Sequence, residues 1–457
     1  TTEIYTLSLH DALPISNCPH CRGRSPSVEA ARLVNSLGAA VKKTGAHKAL
    51  YAWPYSAWIW SSRDPAEREW IGALSPDVSV LSNFDGYDEV PGTAAGVRLF
   101  DYNITCIGPS STFVRQAESC RDTGRPLFAK VETCTTPEAF FLPYLPVHFR
   151  WLERVRAMKK AGAAGFVGQW RFFGMNGSPP EELQYKAAWG EDGDDLLETI
   201  CRRDFLLEGR EVAEALAAWR LLSRAWDVFP YSAMTCGERA AYMRGPFYLG
   251  PAHPLIFDVQ DSYNLPPSFR LLRGDAAEMA SPDELAELQR SAKPRYVSDL
   301  LVTLPFGVER YLELVASCRA AWSEGWQRLH RILRGRGDRA ERELAIVETI
   351  DSHLRTLENV VKFYHARDVL QNTPGGPMEF KARLDVLGRI IDDEIANAER
   401  MLPLLEADPR IGYGHCYGPV YDAAMVRAKV AQCRFVRDVE LPRFSQVVRF
   451  HVWLESP

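Results

Sequence analysis

Between Asn17 and about residue 190 the chain alternates short apolar runs with helical stretches, roughly 30 to 45 residues per cycle, and this constrains the fold more than any other feature. The apolar runs are 49–53, 78–81, 126–133 and 164–170. Each is short and continuously apolar, as parallel strands buried on both faces are. Pro54 cannot donate to a ladder and ends the first run. The helical stretches carry their own punctuation. Ser25 and Pro26 open one that Gly45 stops, with Val28, Leu33, Val34, Leu37 and Val41 on its apolar side. Asp64, Pro65 and Glu67 open a second that runs through Leu74. Ser110 or Ser111 caps a third that Gly124 closes, and 148–160 is a fourth, closed by Gly162. Ser178, followed by Pro179, Pro180, Glu181 and Glu182, begins a fifth.

Four strand–helix cycles make half of an eightfold barrel, and a leading helix with no strand before it fits a chain that enters in mid-domain. The expected fold is therefore α/β: a partial (β/α)8 TIM barrel, its C-terminal half of about four βα units, followed by an α-helical domain. A doubly wound sheet is the alternative. No strand is followed by a glycine-rich phosphate loop, and the glycines at 168 and 174 lack the G-x-G-x-x-G spacing.

Residues 2–16 resemble translated sequencing adapter and are set aside from fold reasoning. Residues 17–190 then form the barrel half. Residues 191–305 are mixed helix and loop, with an amphipathic helix at 212–225 and a Gly-, Pro- and aromatic-rich stretch at 245–258 expected to pack over the barrel mouth. Residues 306–457 read as a helical bundle, with long Leu/Val/Ala periodicity, a charged turn at 334–342 and a break at 371–377. The charge runs read as solvated faces.

At 457 residues, 46% hydrophobic and 25% charged, the chain is that of a globular protein with a large core. A net charge of −5 gives no reason to expect nucleic acid or an anionic membrane as partner, and no apolar run is long enough to span a bilayer. The ten cysteines are scattered rather than arranged as a framework; Cys120, Cys201 and Cys318 sit in apolar contexts. That usage points to a reducing, cytoplasmic compartment.

In a barrel, ligands lie at the C-terminal ends of the strands. Trp53 and Trp58 follow the first strand, and such rings stack on the apolar face of a sugar while their N–H groups bond hydroxyls; capping the core is the other reading. Phe128, Lys130 and Glu132 alternate along the third strand and share a side, which sets Glu132 at the rim above Lys130. There it can act as acid or base or bond sugar hydroxyls, or form a structural ion pair. Asp85 and Asp88 follow the second strand as rim candidates or loop caps. Asp101 and Tyr102 lie in a stretch apolar on one side, and Trp170 ends the fourth strand beside Gly168 and Gly174. Hydrolysis of a glycoside ordinarily needs two carboxylates, and no Asp–Glu pair stands at a strand end here. Cys18 and Cys21 form a CPHC motif with a thiol-redox, a zinc and a structural reading; the redox fold wants a preceding strand, and zinc wants two more ligands.

Taken in order, NCPHCRGR, LYAWPYSAW, LFDYNITCIGP, the KVE of the third strand, GPFYLGPAHP and DPRIGYGH resemble bacterial glycoside-hydrolase-like proteins related to the family-20 β-N-acetylhexosaminidases. The resemblance implies a carbohydrate as partner, an N-acetylhexosaminide first among them, with no metal or organic cofactor. It also implies a catalytic Asp–Glu pair after a strand upstream of this sequence, and saccharide-lining roles for Trp53, Trp58, Glu132 and Trp170. A non-catalytic carbohydrate-binding protein on the same barrel is the alternative.

Overall fold

The structure, a computed structural model, describes residues 23–45, 49–54, 67–86, 88, 102–168, 177–190, 192–231, 246–257, 299–304, 306–414 and 418–447. The chain divides into two compact units that interleave in sequence. The first takes Thr1–Asp88, Cys106–Thr133 and Leu152–Trp170; the second takes Glu89–Thr105, Cys134–Trp151 and Arg171–Pro457. The cut expected at 190 therefore gives way to a discontinuous division, because segments between the strands pack with the helical part of the chain.

In the first unit, strands β1 (Leu50–Ala52), β2 (Val78–Asn83), β3 (Leu127–Val131) and β4 (Gly165–Gly168) form one parallel sheet in the order β1-β2-β3-β4. The register pairs Ala52 with Val80, Asn83 with Lys130, and Val131 with Gly168. β2 and β3 hold the buried centre, with Val80, Ala129 and Val131 fully enclosed, whereas β4 is only half-buried. Gly165 on β4 lies against the Phe128 ring, where a Cβ would approach to 2.9 Å; the missing side chain lets the ring in.

The connecting helices are α1 (Pro26–Lys43), α2 (Arg68–Ala73), α3 (Ser111–Asp122) and α4 (His148–Lys160), the last contributing residues to both units. The stop at Gly45 has the left-handed backbone (φ 74°) that glycine accepts without strain. Ser110 caps α3 by accepting from the Phe113 N–H. Asp88 adds to that cap, accepting from Ser111 N at 2.7 Å and from its hydroxyl at 2.5 Å, so of its two readings it takes the loop cap. α1 packs through small residues: Ala30, Ala31 and Gly38 are buried, and a Cβ on Gly38 would meet Leu50 at 2.7 Å. Its larger apolar residues Val28, Leu33, Leu37 and Val41 stay exposed.

The second unit is helical: α5 (Pro179–Ala188), α6 (Gly193–Asp204), α7 (Arg210–Ala225), α8 (Val308–Leu333), α9 (Asp338–Asn372), α10 (Pro377–Ala407) and α11 (Ala423–Phe435), with a two-stranded antiparallel ladder of β5 (Tyr413–Gly414) and β6 (Gly418–Pro419). Short turns at 334–337 and 373–376 fold α9 back on α8 and α10 back on α9, and α7 lies against α8. α9 is the axis of this bundle, buried almost all the way round over 343–361. The described part of the Gly/Pro/aromatic stretch belongs to this core: the helical turn Pro246–Leu249 and the 3-10 turn Gly250–Ala252 are buried against α9, and the 3-10 turn also touches α10 and α11. Cys120, Cys201, Cys318 and Cys433 are free and buried, as small apolar residues would be. No described helix is long and apolar enough to cross a membrane.

Candidate functional site

At the C-terminal ends of β1, β2 and β3 the sequence pattern expected a ligand-binding rim, and several of its residues meet there. Trp53, one residue past β1, donates its indole N–H to Asn83 Oδ1 at 2.8 Å, and Asn83 is the last residue of β2. Lys130 and Glu132 do share a side of β3: Lys130 Nζ lies 3.1 Å from Glu132 Oε1, and both residues are buried, 3% and 5% exposed. Lys130 also contributes its backbone carbonyl to the N–H of Phe84, which extends the β2–β3 ladder beyond the strand end. Parallel strands end with their carbonyls and following turns on one rim, so alternation along β3 and the end of β2 are enough to assemble this cluster.

Asp85, two residues past the end of β2, is buried, with Arg154 of α4 3.5 Å from its Oδ2. The same guanidinium donates to the carbonyls of Cys106 at 2.6 Å and Ile107 at 3.3 Å. Asp85 thus helps fix a cation that clamps the 106–107 loop. Tyr102 is buried, with φ 67°, and belongs to the second unit, whereas Trp53, Asp85, Lys130 and Glu132 belong to the first. Trp58, Asp101 and Trp170, and the Cys18–Cys21 pair, lie outside the described residues. Among the described residues no group of three or more His, Cys, Asp or Glu side chains is arranged to hold a metal ion.

A second site, in the helical unit, shows in the sequence only as the charged turn at 334–342 and the helix start at Ser178. A cavity of about 680 Å³ opens between the start of α5, the end of α6, the start of α9 and the turn after α10. Arg203, Arg339, Arg342 and Arg410 line it, with Glu182, Asp204, Tyr144 and Phe205. Three of the arginines are held by acids. Arg203 forms a fork on Glu182, with both bonds at 2.7 Å, and also reaches Asp204; Arg339 pairs with Asp204; Arg410 pairs with Asp408 at 2.6 Å. Hydrogen bonds from Arg203, aided by Lys186, pull the Glu182 carboxyl down to about 2. Burial works against Asp408, but the Arg410 bonds still hold it below its ordinary value. Arg342 is exposed and makes no hydrogen bond or ion pair among the described residues. The available signal was positional. Arg339 and Arg342 sit in the first turns of a long helix, where cations oppose the macrodipole and need a partner.

Behind Tyr144 the side of the cavity is stiffened. The Tyr144 hydroxyl donates to Glu343 Oε2 at 2.5 Å, Trp219 Nε1 donates to Oε1 at 3.1 Å, and His148 Nε2 lies 3.7 Å from that oxygen, all of them buried. Burial, followed by the Glu343 charge, raises the Tyr144 phenol well above its ordinary pKa, so it remains a donor.

Fold and sites together define a mixed α/β protein: one unit built on a sequentially ordered parallel sheet, and one helical unit with a cationic cavity. No family model matches the chain, and no match was found among curated proteins or solved structures.

Proposed function

We propose that this is a glycoside-hydrolase-like protein that binds a saccharide at the C-terminal ends of β1–β3, on a sheet that represents half of a (β/α)8 barrel. The observation that carries the reading is the placement of Trp53, Asn83, Lys130 and Glu132 at the ends of adjacent parallel strands. Strand order that follows chain order without reversal supports the barrel over a doubly wound sheet, whose order reverses at its switch point. Trp53 offers a fixed aromatic surface, and Glu132, oriented by Lys130, offers carboxylate oxygens to sugar hydroxyls. The family resemblance makes an N-acetylhexosaminide the first ligand to test. Calorimetric titration of the full chain with N,N′-diacetylchitobiose should show saturable binding that weakens about tenfold in Trp53→Ala and in Glu132→Gln. Absence of saturable binding to this and other oligosaccharides overturns the reading. No adjacent Asp–Glu pair stands at the end of a sequence-predicted strand, so a nitrophenyl N-acetylglucosaminide should be bound without turnover. Turnover abolished by Glu132→Gln would instead make Glu132 a catalytic acid.

A further inference from the structure

The arginine-lined cavity of the helical unit has features that the saccharide reading neither uses nor needs. Four guanidiniums face it against two lining carboxylates, Glu182 and Asp204. Those carboxylates are already engaged: Glu182 by Arg203, Asp204 by Arg203 and Arg339. Their effect is to fix the direction of two guanidiniums without cancelling the excess of positive charge. Arg410 is fixed in the same way by Asp408 from outside the lining. Arg342, whose charge also helps to hold down the Asp408 carboxyl, is the guanidinium left without a hydrogen-bonded acid among the described residues, on the same wall of α9 as Arg339 and one helical turn further on.

The neighbouring helix start does not supply the anion site. The α5 N-terminus is closed by its own capping box, in which Glu181 accepts from the Ser178 N–H at 2.8 Å, and the next two positions are prolines with no N–H to give. Recognition must therefore come from side chains. Guanidinium forks match the oxygens of phosphate and carboxylate alike. A single carboxylate is satisfied by one fork, whereas four converging guanidiniums, which keep one positive charge beyond Glu182, Asp204 and Asp408, offer donors to more oxygens than a carboxylate has, as a phosphoryl group does. The volume, about 680 Å³, exceeds the needs of a bare ion and falls within the ordinary range for small organic ligands. Phe205 and the Tyr144 ring provide apolar wall for the body of such a ligand.

We propose that this cavity binds a small organic phosphate, with Arg342 as the residue that takes the phosphoryl oxygens and Arg203, Arg339 and Arg410 as its preset surround. Phenyl phosphate, benzoate and inorganic phosphate, titrated calorimetrically into the full chain, test it. Phenyl phosphate should bind at one site, more tightly than either of the other two. Arg342→Ala should weaken it about tenfold or more, and Arg389→Ala, on the exposed face of α10, should leave it within about twofold. Arg342→Lys should fall between, since it keeps the charge and loses the fork. Arg342 makes no hydrogen bond or ion pair among the described residues, so the fold should tolerate its loss, and equal melting temperatures would verify that. No saturable binding, or equal weakening by Arg342→Ala and Arg389→Ala, overturns the site. Benzoate binding as tightly overturns the phosphate assignment, and inorganic phosphate binding as tightly overturns the organic ligand. None of these outcomes depends on whether the strand-end rim takes a saccharide.

Discussion

His353 shows how much one buried group can couple stability to pH. It lies on α9 with its ring stacked on Phe141 at 3.8 Å, Nδ1 on the Phe247 carbonyl and Nε2 2.7 Å from the Tyr421 hydroxyl. Burial keeps the Tyr421 proton in place, so the phenol donates to Nε2 and Nδ1–H donates to the carbonyl. Burial also drives the imidazole from its ordinary 6.5 to about 3, against the pull of the Phe247 carbonyl. Between these pH values the unfolded chain protonates this side chain and the folded chain does not. Its contribution is therefore complete above pH 6.5 and is lost as pH falls toward 3, about 5 kcal/mol over the whole window. Urea unfolding of wild type should lose stability faster below pH 6 than His353→Gln does, with slopes differing by up to about 1.4 kcal/mol per pH unit; equal slopes would refute it. Nothing in the local sequence around His353 marks it, because its partners come from residues more than sixty positions away. Lys130 and Glu132 were legible for the opposite reason: two residues on one strand share a side by backbone geometry alone.

Elements were legible where their ends carry local chemistry. Ser110 and the Ser178–Glu181 box cap helices as their sequence promised, and Pro54 lies just past the end of β1. Faces were less legible. α1 carries an apolar stripe at Leu33, Leu37 and Val41, yet it buries Ala30, Ala31 and Gly38, because close approach to β1 rewards small residues over large ones. α9 has polar residues on every side, and several join one buried network. Thr356 and Asn359 donate to Glu394 at 2.8 Å, Asn397 bridges the Ser352 carbonyl and Thr356, and Lys429 closes the network on Glu394. Periodicity cannot reveal a helix buried all round. Close approach recurs where α8 meets α7: a Cβ on Gly325 would fall 2.6 Å from Leu222 and 3.1 Å from the Ala218 carbonyl. Gly325→Val should therefore destabilise by about 1 to 3 kcal/mol through overpacking, despite removing a helical glycine. A urea midpoint unchanged from wild type would show that the helices can part to admit the side chain.

At the scale of the whole molecule, chain order and packing order diverge, and residues 134–151 are where they do so. They lie between β3 and β4 in sequence, so strand–helix alternation assigns them to the sheet. Their contacts make them core of the helical unit. Tyr144 and His148 face Glu343, Phe141 stacks on His353 and accepts from the Gly412 N–H, and Arg150 reaches Asp227 while holding the carbonyls of Ile104 and Thr105. A fragment cut where composition changes, at residue 191, keeps Glu343 and His353 but loses the groups that enclose them. A carboxylate stripped of Tyr144 and His148 inside an apolar bundle must admit water or distort its surroundings. Fragment 191–457 should thus bind a hydrophobic dye and unfold without a sharp urea transition, where the full chain unfolds cooperatively. Tyr144→Phe in the full chain isolates one part of that loss, removing a donor from Glu343 at an expected cost of about 1 to 3 kcal/mol. If the fragment instead melts as steeply as the intact protein, residues 134–151 are an attachment to the bundle and not a piece of its core.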